Sequence, residues 1–187
     1  MSLFGTERRA EFRYEAGAFA AHFSIDDLRA EIPLRQFTAS MYGKTFNAPR
    51  LECWFGKEPY GFGGRVVEPS AMGALLASLK ERVEAAVGQP FDSCFANYYR
   101  DGNDCIDWHA DDEKWIEPWI ASVSFGSARK FVLKNNATKE TVEYQLGNGD
   151  MLVMGPGTQQ AWKHSVPRTK KLVGPRLNLT FRQTVKS

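Results

Sequence analysis

The chain has 187 residues, with 24 Lys or Arg, 22 Asp or Glu and 3 His, and its formal net charge is +2. This length fits one domain that can bury a core of its own. A composition of 43% hydrophobic and 25% charged residues excludes disordered, collagen-like and coiled-coil chains. With neither a long apolar run nor a leader pattern, we expect a cytoplasmic protein, and three cysteines without CxxC spacing predict reduced thiols.

Two helices are predicted before residue 89. Ser24 followed by Asp27 predicts a capped helix over Ile25–Glu31. Apolar residues at helical spacing predict a longer helix over residues 69–87, with Pro69 as its first residue and Gly88 just past its end. We expect this second helix to pack on the core and to carry no chemistry.

Short strand patterns separated by turn residues follow the second helix. The predicted strands cover residues 94–99, 120–125, 130–134, 141–146, 150–154 and 177–182. Strands at this spacing predict a sandwich or barrel. We therefore expect a single domain, 1–187, in which residues 1–88 carry the helices and a recognition segment and residues 89–187 form a catalytic core.

The last strand alternates strictly between apolar and polar residues, so its two faces differ. The apolar set is Leu177, Leu179 and Phe181, and the polar set is Arg176, Asn178, Thr180 and Arg182. Two interpretations stay open at this point: the polar face meets water, or it lines an interior that binds an anion through the arginines.

Two histidines and one aspartate have the spacing of a metal site. His109 and Asp111 are two residues apart, so an extended segment places both on one side, and His164 comes much later. Two imidazoles and one carboxylate are the ligands of non-haem Fe(II) oxygenases, which keep coordination positions open. A chance HxD pair is the alternative. Arg176 follows His164 by twelve residues and could hold the far end of a dicarboxylate such as 2-oxoglutarate.

The chain resembles the AlkB family of Fe(II)- and 2-oxoglutarate-dependent dioxygenases, and within it the branch that repairs alkylated DNA. Five motifs in order carry the resemblance: NYYRDG at 97–102, HADDE at 109–113, SVSFG at 122–126, HSVP at 164–167 and PRLNLTFR at 175–182. It implies an α+β, mainly β, double-stranded β-helix, or jelly roll, with supporting helices on one side. It also implies His109, Asp111 and His164 as catalytic iron ligands. The implied 2-oxoglutarate ligands are Asn97, Tyr99, Arg176, Asn178, Thr180 and Arg182.

The resemblance further implies a pocket for a flipped, positively charged methylated base. Tyr60 and Phe62 are the expected aromatic partners, with a turn that carries core aromatics as the alternative, and Asp112 and Glu113 are the expected carboxylates. Tyr42, Gly43 and Lys44 correspond to a loop that some relatives insert into the duplex, with Tyr42 as the wedge, and a preference for duplex or single strand stays open. Basic residues in the acid-free C-terminal part are expected to contact phosphates: Lys163, Arg168, Lys170 and Lys171.

These observations predict an enzyme that uses Fe(II), 2-oxoglutarate and O₂ to demethylate N1-methyladenine and N3-methylcytosine in DNA, with RNA as a further candidate. The expected products are formaldehyde, succinate and CO₂. The expected protein is a monomer without a membrane partner. Two alternatives are an oxygenase of the same fold that acts on a protein, lipid or small molecule, and a non-catalytic jelly roll that binds nucleic acid around a structural metal.

Overall fold

A computed structural model describes residues 12–41, 44–62 and 65–185, and within them the side chains other than those of residues 39–41, 44, 62 and 65. Its helices are α1 (Ile25–Glu31), α2 (Ala74–Val87) and α3 (Thr158–Ala161). Its strands are β1 (Phe12–Glu15), β2 (Thr38–Met41), β3 (Lys44–Asn47), β4 (Leu51–Phe55), β5 (Tyr60–Phe62), β6 (Arg65–Val67), β7 (Ser93–Tyr99), β8 (Ile106–His109), β9 (Ile116–Gly126), β10 (Arg129–Asn135), β11 (Thr141–Leu146), β12 (Met151–Met154), β13 (Trp162–Val166) and β14 (Arg176–Thr184). Within these ranges no helix combines the length and the apolarity that a membrane span needs.

Two antiparallel sheets form the body of the described chain. The larger sheet has the strand order β1-β12-β9-β14-β7-β4, and the smaller sheet has the order β11-β10-β13-β8. Side chains from both sheets share one apolar cluster, in which Leu152 and Met154 of β12 join Leu133 of β10 and Trp162 of β13. The jelly roll is therefore confirmed, with its interior between the two sheets.

The helices α1 and α2 lie on the outer face of the larger sheet, as expected. Leu28 of α1 and Leu76, Leu79 and Val83 of α2 are buried in one cluster with the apolar set of β14. Full burial of a Leu or Val side chain contributes about 1.5–3 kcal/mol. The alternation of β14 thus sends its apolar side chains to the helices and its polar side chains to the interior.

The sequence prediction of α2 is right at its end and wrong at its beginning. Gly88 adopts a left-handed conformation with φ of 73° and stops the helix. The helix begins at Ala74 rather than at Pro69, because the Glu31 carboxylate accepts hydrogen bonds from the backbone N–H groups of Leu75 and Leu76. This carboxylate caps α2 from the end of α1, a tertiary contact that sequence spacing does not reveal.

Several strands were not predicted, including β4, β8 and β13. β1 and β4 occupy the two edges of the larger sheet, so residues from the first part of the chain complete the sheet of the second part. The division into a recognition segment, 1–88, and a catalytic core, 89–187, stays a prediction.

Candidate active site

His109, Asp111 and His164 come together between the sheets. His109 ends β8 and lies directly opposite His164 of β13, which places the ring centroids 4.3 Å apart. Asp111 follows two residues later, with its Oδ2 3.7 Å from His164 Nε2. One ligand atom from each residue lies within 4.8 Å of the other two, a cluster that could hold a metal ion.

Hydrogen bonds orient two of these three residues. His109 Nδ1 lies 2.8 Å from the Asp107 carbonyl oxygen, and because a carbonyl only accepts, Nδ1–H donates and Nε2 keeps its lone pair for a metal. The backbone N–H of Asp111 donates to Gln159 Oε1 at 3.0 Å, and Asp111 Oδ1 accepts from Arg182 Nη2 at 2.6 Å. Gln159, on α3, is a supporting residue that the sequence analysis missed.

The electrostatics of the cluster favour the protonation states that a metal ion requires. Burial and the neighbouring His109 lower the pKa of His164 to about 3. Burial also lowers the pKa of His109. Burial acts to raise the pKa of Asp111, but Arg182 and the two imidazoles outweigh it, and the net pKa is lowered. Neutral imidazoles beside an ionised carboxylate fit a divalent cation.

Arg176 is a buried cation with unused hydrogen-bonding capacity. Its side chain is 1% exposed, and its Nη2 donates to Ser124 Oγ at 2.8 Å. In the described part of the chain its Nε and Nη1 have no hydrogen-bond partner. Burial lowers its pKa to about 10, although Tyr99 acts in the opposite direction. A buried guanidinium with two unpartnered nitrogens fits the carboxylate of an incoming anion.

Asn178 and Thr180 lie between Arg176 and Arg182 along β14, and Arg182 contacts Asp111 of the metal cluster. Asn178 is opposite Asn97 in the sheet register, and Arg176 is opposite Tyr99. Asn178 Nδ2 donates to Ser122 Oγ at 2.8 Å and to the Val123 carbonyl at 3.1 Å. These side chains are buried and face the interior.

One cavity is lined by most of these residues, although Arg176 is not among the residues that line it. The site residues predicted from the sequence that line it are Tyr60, Asn97, Tyr99, His109, Asp111, His164, Asn178, Thr180 and Arg182. Arg50, Phe95, Ser122, Phe131 and Met154 line it too and were not predicted. Ser122 was within reach of sequence reasoning, since it alternates with apolar neighbours in β9, whereas no local pattern marks Arg50.

The Tyr60 side chain presents its hydroxyl to the cavity. Its ring is 2% exposed and stacks on Trp54, with ring centroids 4.8 Å apart, while Phe95 and Trp115 lie beside it. The hydroxyl donates to Glu113 Oε1 and accepts from Arg182 Nη1 at 3.1 Å. A base could stack on this ring only if the ring left its aromatic cluster.

The other predicted substrate residues differ in position. Glu113 is half-buried beside Tyr60, whereas Asp112 is exposed. Tyr42 and Gly43 lie outside the described residues, and for Lys44 and Phe62 only the backbone is described, in β3 and β5.

The predicted phosphate contacts divide into two groups. Lys163 is exposed on β13, next to His164 in sequence but on the opposite face of the strand. Arg168, Lys170 and Lys171 are exposed in the loop between β13 and β14. Arg168 and Lys171 line a second, basic cavity together with Arg129 and Lys130.

A jelly roll that brings two histidines and one aspartate together at a cavity, with a buried arginine on a strand that lines this cavity, is typical of non-haem iron dioxygenases. The chain belongs to the 2OG-Fe(II) oxygenase superfamily, whose family model matches residues 19–182. Membership implies Fe(II), 2-oxoglutarate and O₂ as metal, cosubstrate and oxidant, and the residues described above fit them.

The resemblance to the AlkB family is confirmed by homology. Alpha-ketoglutarate-dependent dioxygenase alkB homolog 3 of Homo sapiens is 35% identical to the chain over 174 residues, which are 87% of this chain and 61% of that protein. DNA oxidative demethylase ALKBH2 of Mus musculus is 37% identical over 155 residues, which are 76% of this chain and 65% of that protein. The chain thus spans about three fifths of the length of the curated relatives it matches. A solved structure described as "The structure of OsALKBH1" shares the fold, with a TM-score of 0.66 and 18% identity over 92% of this chain and 97% of that chain.

Proposed function

We propose that this chain removes methyl groups from N1-methyladenine and N3-methylcytosine in DNA, and in RNA as a further substrate. One observation carries the choice of substrate: the Glu113 carboxylate, held by the Tyr60 hydroxyl beside the cavity, keeps its Oε2 buried and without a hydrogen-bond partner among the described residues. Both methylated bases are cations near neutral pH and carry an exocyclic amino group. A buried carboxylate oxygen without a partner favours such a base over its neutral, unmodified form.

When bound, Fe(II), 2-oxoglutarate and O₂ supply an oxidation that puts one oxygen atom into the N-methyl group and the other into succinate, with loss of CO₂; the hydroxymethyl group then leaves as formaldehyde. His109, Asp111 and His164 would hold the metal, and Arg176 would bind the distal carboxylate of 2-oxoglutarate. Arg182 orients Asp111 and at the same time holds the Tyr60 hydroxyl. Arg182 therefore links Tyr60, whose hydroxyl holds Glu113 for the base, to Asp111, which would hold the metal.

The relatives support this proposal, since one of them carries the name DNA oxidative demethylase. In the proposal, Asn97, Tyr99, Asn178 and Thr180 complete the 2-oxoglutarate site. Phe62 stacks on the flipped base, and Asp112 lies near the substrate. Tyr42, Gly43 and Lys44 contact the strand from which the base has left. A monomer in the cytoplasm stays a prediction.

The test is a reaction of the protein with Fe(II), 2-oxoglutarate and O₂ on methylated oligonucleotides, supplied as single-stranded DNA, duplex DNA and RNA. We expect formaldehyde and the unmodified base in equal amounts, and loss of both products with Asp111→Ala. Turnover of 2-oxoglutarate that a protein, lipid or small molecule stimulates, with no base restored on any oligonucleotide, would overturn the proposal in favour of another oxygenase activity.

A further inference from the structure

We propose that Arg50 is a positioning residue for 2-oxoglutarate, which acts by fixing the amide of Asn97 so that its NH₂ group is left for the cosubstrate. The inference rests on the proposed role of Asn97 as a 2-oxoglutarate ligand. It adds Arg50 and Glu52, which no sequence motif marked, to the residues that prepare the site.

The Arg50 guanidinium is buried, and each of its three nitrogens has a partner. It lies just before β4, lines the same cavity as the metal cluster and is 5% exposed. Its Nε donates to Asn97 Oδ1 at 2.8 Å, its Nη1 donates to the Cys105 carbonyl at 3.2 Å, and its Nη2 lies 2.5 Å from Glu52 Oε1. Three partners in three directions hold the planar guanidinium of Arg50 in one orientation.

This arrangement decides which end of the Asn97 amide faces the ligand. A guanidinium can only donate hydrogen bonds, so the atom that meets Arg50 must be the amide oxygen. The Asn97 Nδ2 group has no hydrogen-bond partner among the described residues, and Asn97 lines the cavity. Two N–H donors are thus left for an oxygen of the cosubstrate.

Glu52 explains why Arg50 acts through Asn97 and does not bind the anion itself. Glu52 is 0% exposed and lies opposite Asn97 in the register of β4 and β7. A buried carboxylate requires a charged partner, and here that partner is Arg50. The pair is neutral as a whole, so it keeps the guanidinium in the wall of the cavity and away from the dicarboxylate.

The neighbouring strand also holds an asparagine amide in place, but by its NH₂ group rather than by its oxygen. Asn178, opposite Asn97 on β14, has its amide fixed by Ser122 Oγ and the Val123 carbonyl. Two asparagine side chains in one row of the sheet are therefore both oriented by protein groups before any ligand arrives. Such preorganisation strengthens binding, because less rotational freedom is lost when the ligand binds.

The test measures 2-oxoglutarate binding by calorimetry, without O₂ and with Mn(II) in place of iron. We expect Arg50→Lys to weaken 2-oxoglutarate binding by about tenfold, the usual effect of one lost hydrogen bond to a charged group, with Mn(II) affinity unchanged. Asn97→Ala should weaken it by at least as much, and the double variant should be no weaker than Asn97→Ala alone. Arg100→Lys is the matched control, since Arg100 forms a similar fork with Asp104 outside the cavity.

Asn97→Asp gives a second measurement in which both Arg50 and Glu52 are retained. The aspartate keeps an acceptor for Arg50 but replaces the NH₂ group by an oxygen, so this variant should fold and lose 2-oxoglutarate affinity by more than about tenfold. The inference is overturned if Asn97→Asp binds 2-oxoglutarate as tightly as the wild type. It is also overturned if the losses of 2-oxoglutarate affinity in Arg50→Lys and Asn97→Ala multiply in the double variant. A wild-type protein that binds Mn(II) but no 2-oxoglutarate would instead overturn the proposed function.

Discussion

The Arg182 guanidinium donates a hydrogen bond to the Asp111 carboxylate across 2.6 Å, inside a barrel where both side chains are at least nine-tenths buried. Burial acts to lower the pKa of Arg182, but Asp111, Tyr60 and Glu113 outweigh it and the net pKa is raised. The cation therefore stays charged and compensates Asp111 before a metal binds. Once a metal is present, Asp111 has two cationic partners.

Arg182→Gln should destabilise the metal-free protein more than the metal-loaded protein. Removing one member of a buried ion pair costs about 3–5 kcal/mol, and a bound cation recovers part of this loss. We expect saturating Mn(II) to raise Tm by more in Arg182→Gln than in the wild type, as measured by thermal unfolding. Arg100→Gln, which breaks the Arg100–Asp104 pair outside the site, should lower Tm equally with and without Mn(II). If Mn(II) raises Tm by the same amount in Arg182→Gln and in the wild type, Arg182 and the metal do not compensate the same charge on Asp111.

Arg176→Met should abolish tight 2-oxoglutarate binding while leaving the metal site intact. Loss of one partner from a buried, hydrogen-bonded charge pair costs about 2–5 kcal/mol, which corresponds to a Kd at least about thirtyfold higher. Calorimetry with Mn(II)-loaded protein measures this directly. Arg129→Lys is the comparison, because the Arg129 guanidinium also lies over Tyr99 but binds backbone carbonyls. Arg129→Lys should lower Tm and leave the Kd for 2-oxoglutarate unchanged. If Arg176→Met does not change this Kd either, Arg176 does not bind 2-oxoglutarate.

Glu113→Gln should reduce discrimination for the cationic base. The amide keeps a polar group near the Tyr60 hydroxyl but removes the negative charge, so we expect kcat/KM on N1-methyladenine oligonucleotides to fall by roughly tenfold, a loss of about 1.4 kcal/mol. Binding of 2-oxoglutarate should not change. Asp112→Asn tests the exposed neighbour with the same chemical change and should have a much smaller effect. Equal losses in the two variants would show that general charge, rather than the buried Glu113 oxygen, attracts the base.

Lys170→Ala with Lys171→Ala should flatten the salt dependence of single-stranded DNA binding. Each phosphate contact to a single strand contributes about −0.7 to the slope of log K against log salt concentration, so losing two contacts should change the slope by about 1.4. Fluorescence anisotropy over a salt series gives the slope. Lys80→Ala with Arg82→Ala removes the same charge from α2, on the helical side of the larger sheet, and should leave the slope as it is. If the slope is unchanged in the variant with both lysines replaced, Lys170 and Lys171 do not contact the phosphates of the DNA.

Local patterns in the sequence predicted much of the fold. α1 matches its predicted bounds because Ser24 caps it through Asp27, a contact within one turn. β11 also matches, since turn residues close to it in sequence delimit it. Short strands such as β8 and β13 lack such local signals and form because neighbouring strands satisfy their backbone groups.

For the site, the sequence by itself determined which residues could act together. The two-residue spacing of His109 and Asp111 and the alternation of β14 follow from the side-chain geometry of extended chain, and the resemblance to the AlkB family added His164. The tertiary structure decided which face of β14 is inside, that the Tyr60 ring packs on Trp54, and that Arg50 and Glu52 pair next to Asn97. These outcomes depend on contacts between strands that are distant in sequence. The free energy of folding there depends on burial and on whether buried polar groups find hydrogen-bond partners, and no local sequence pattern encodes such contacts.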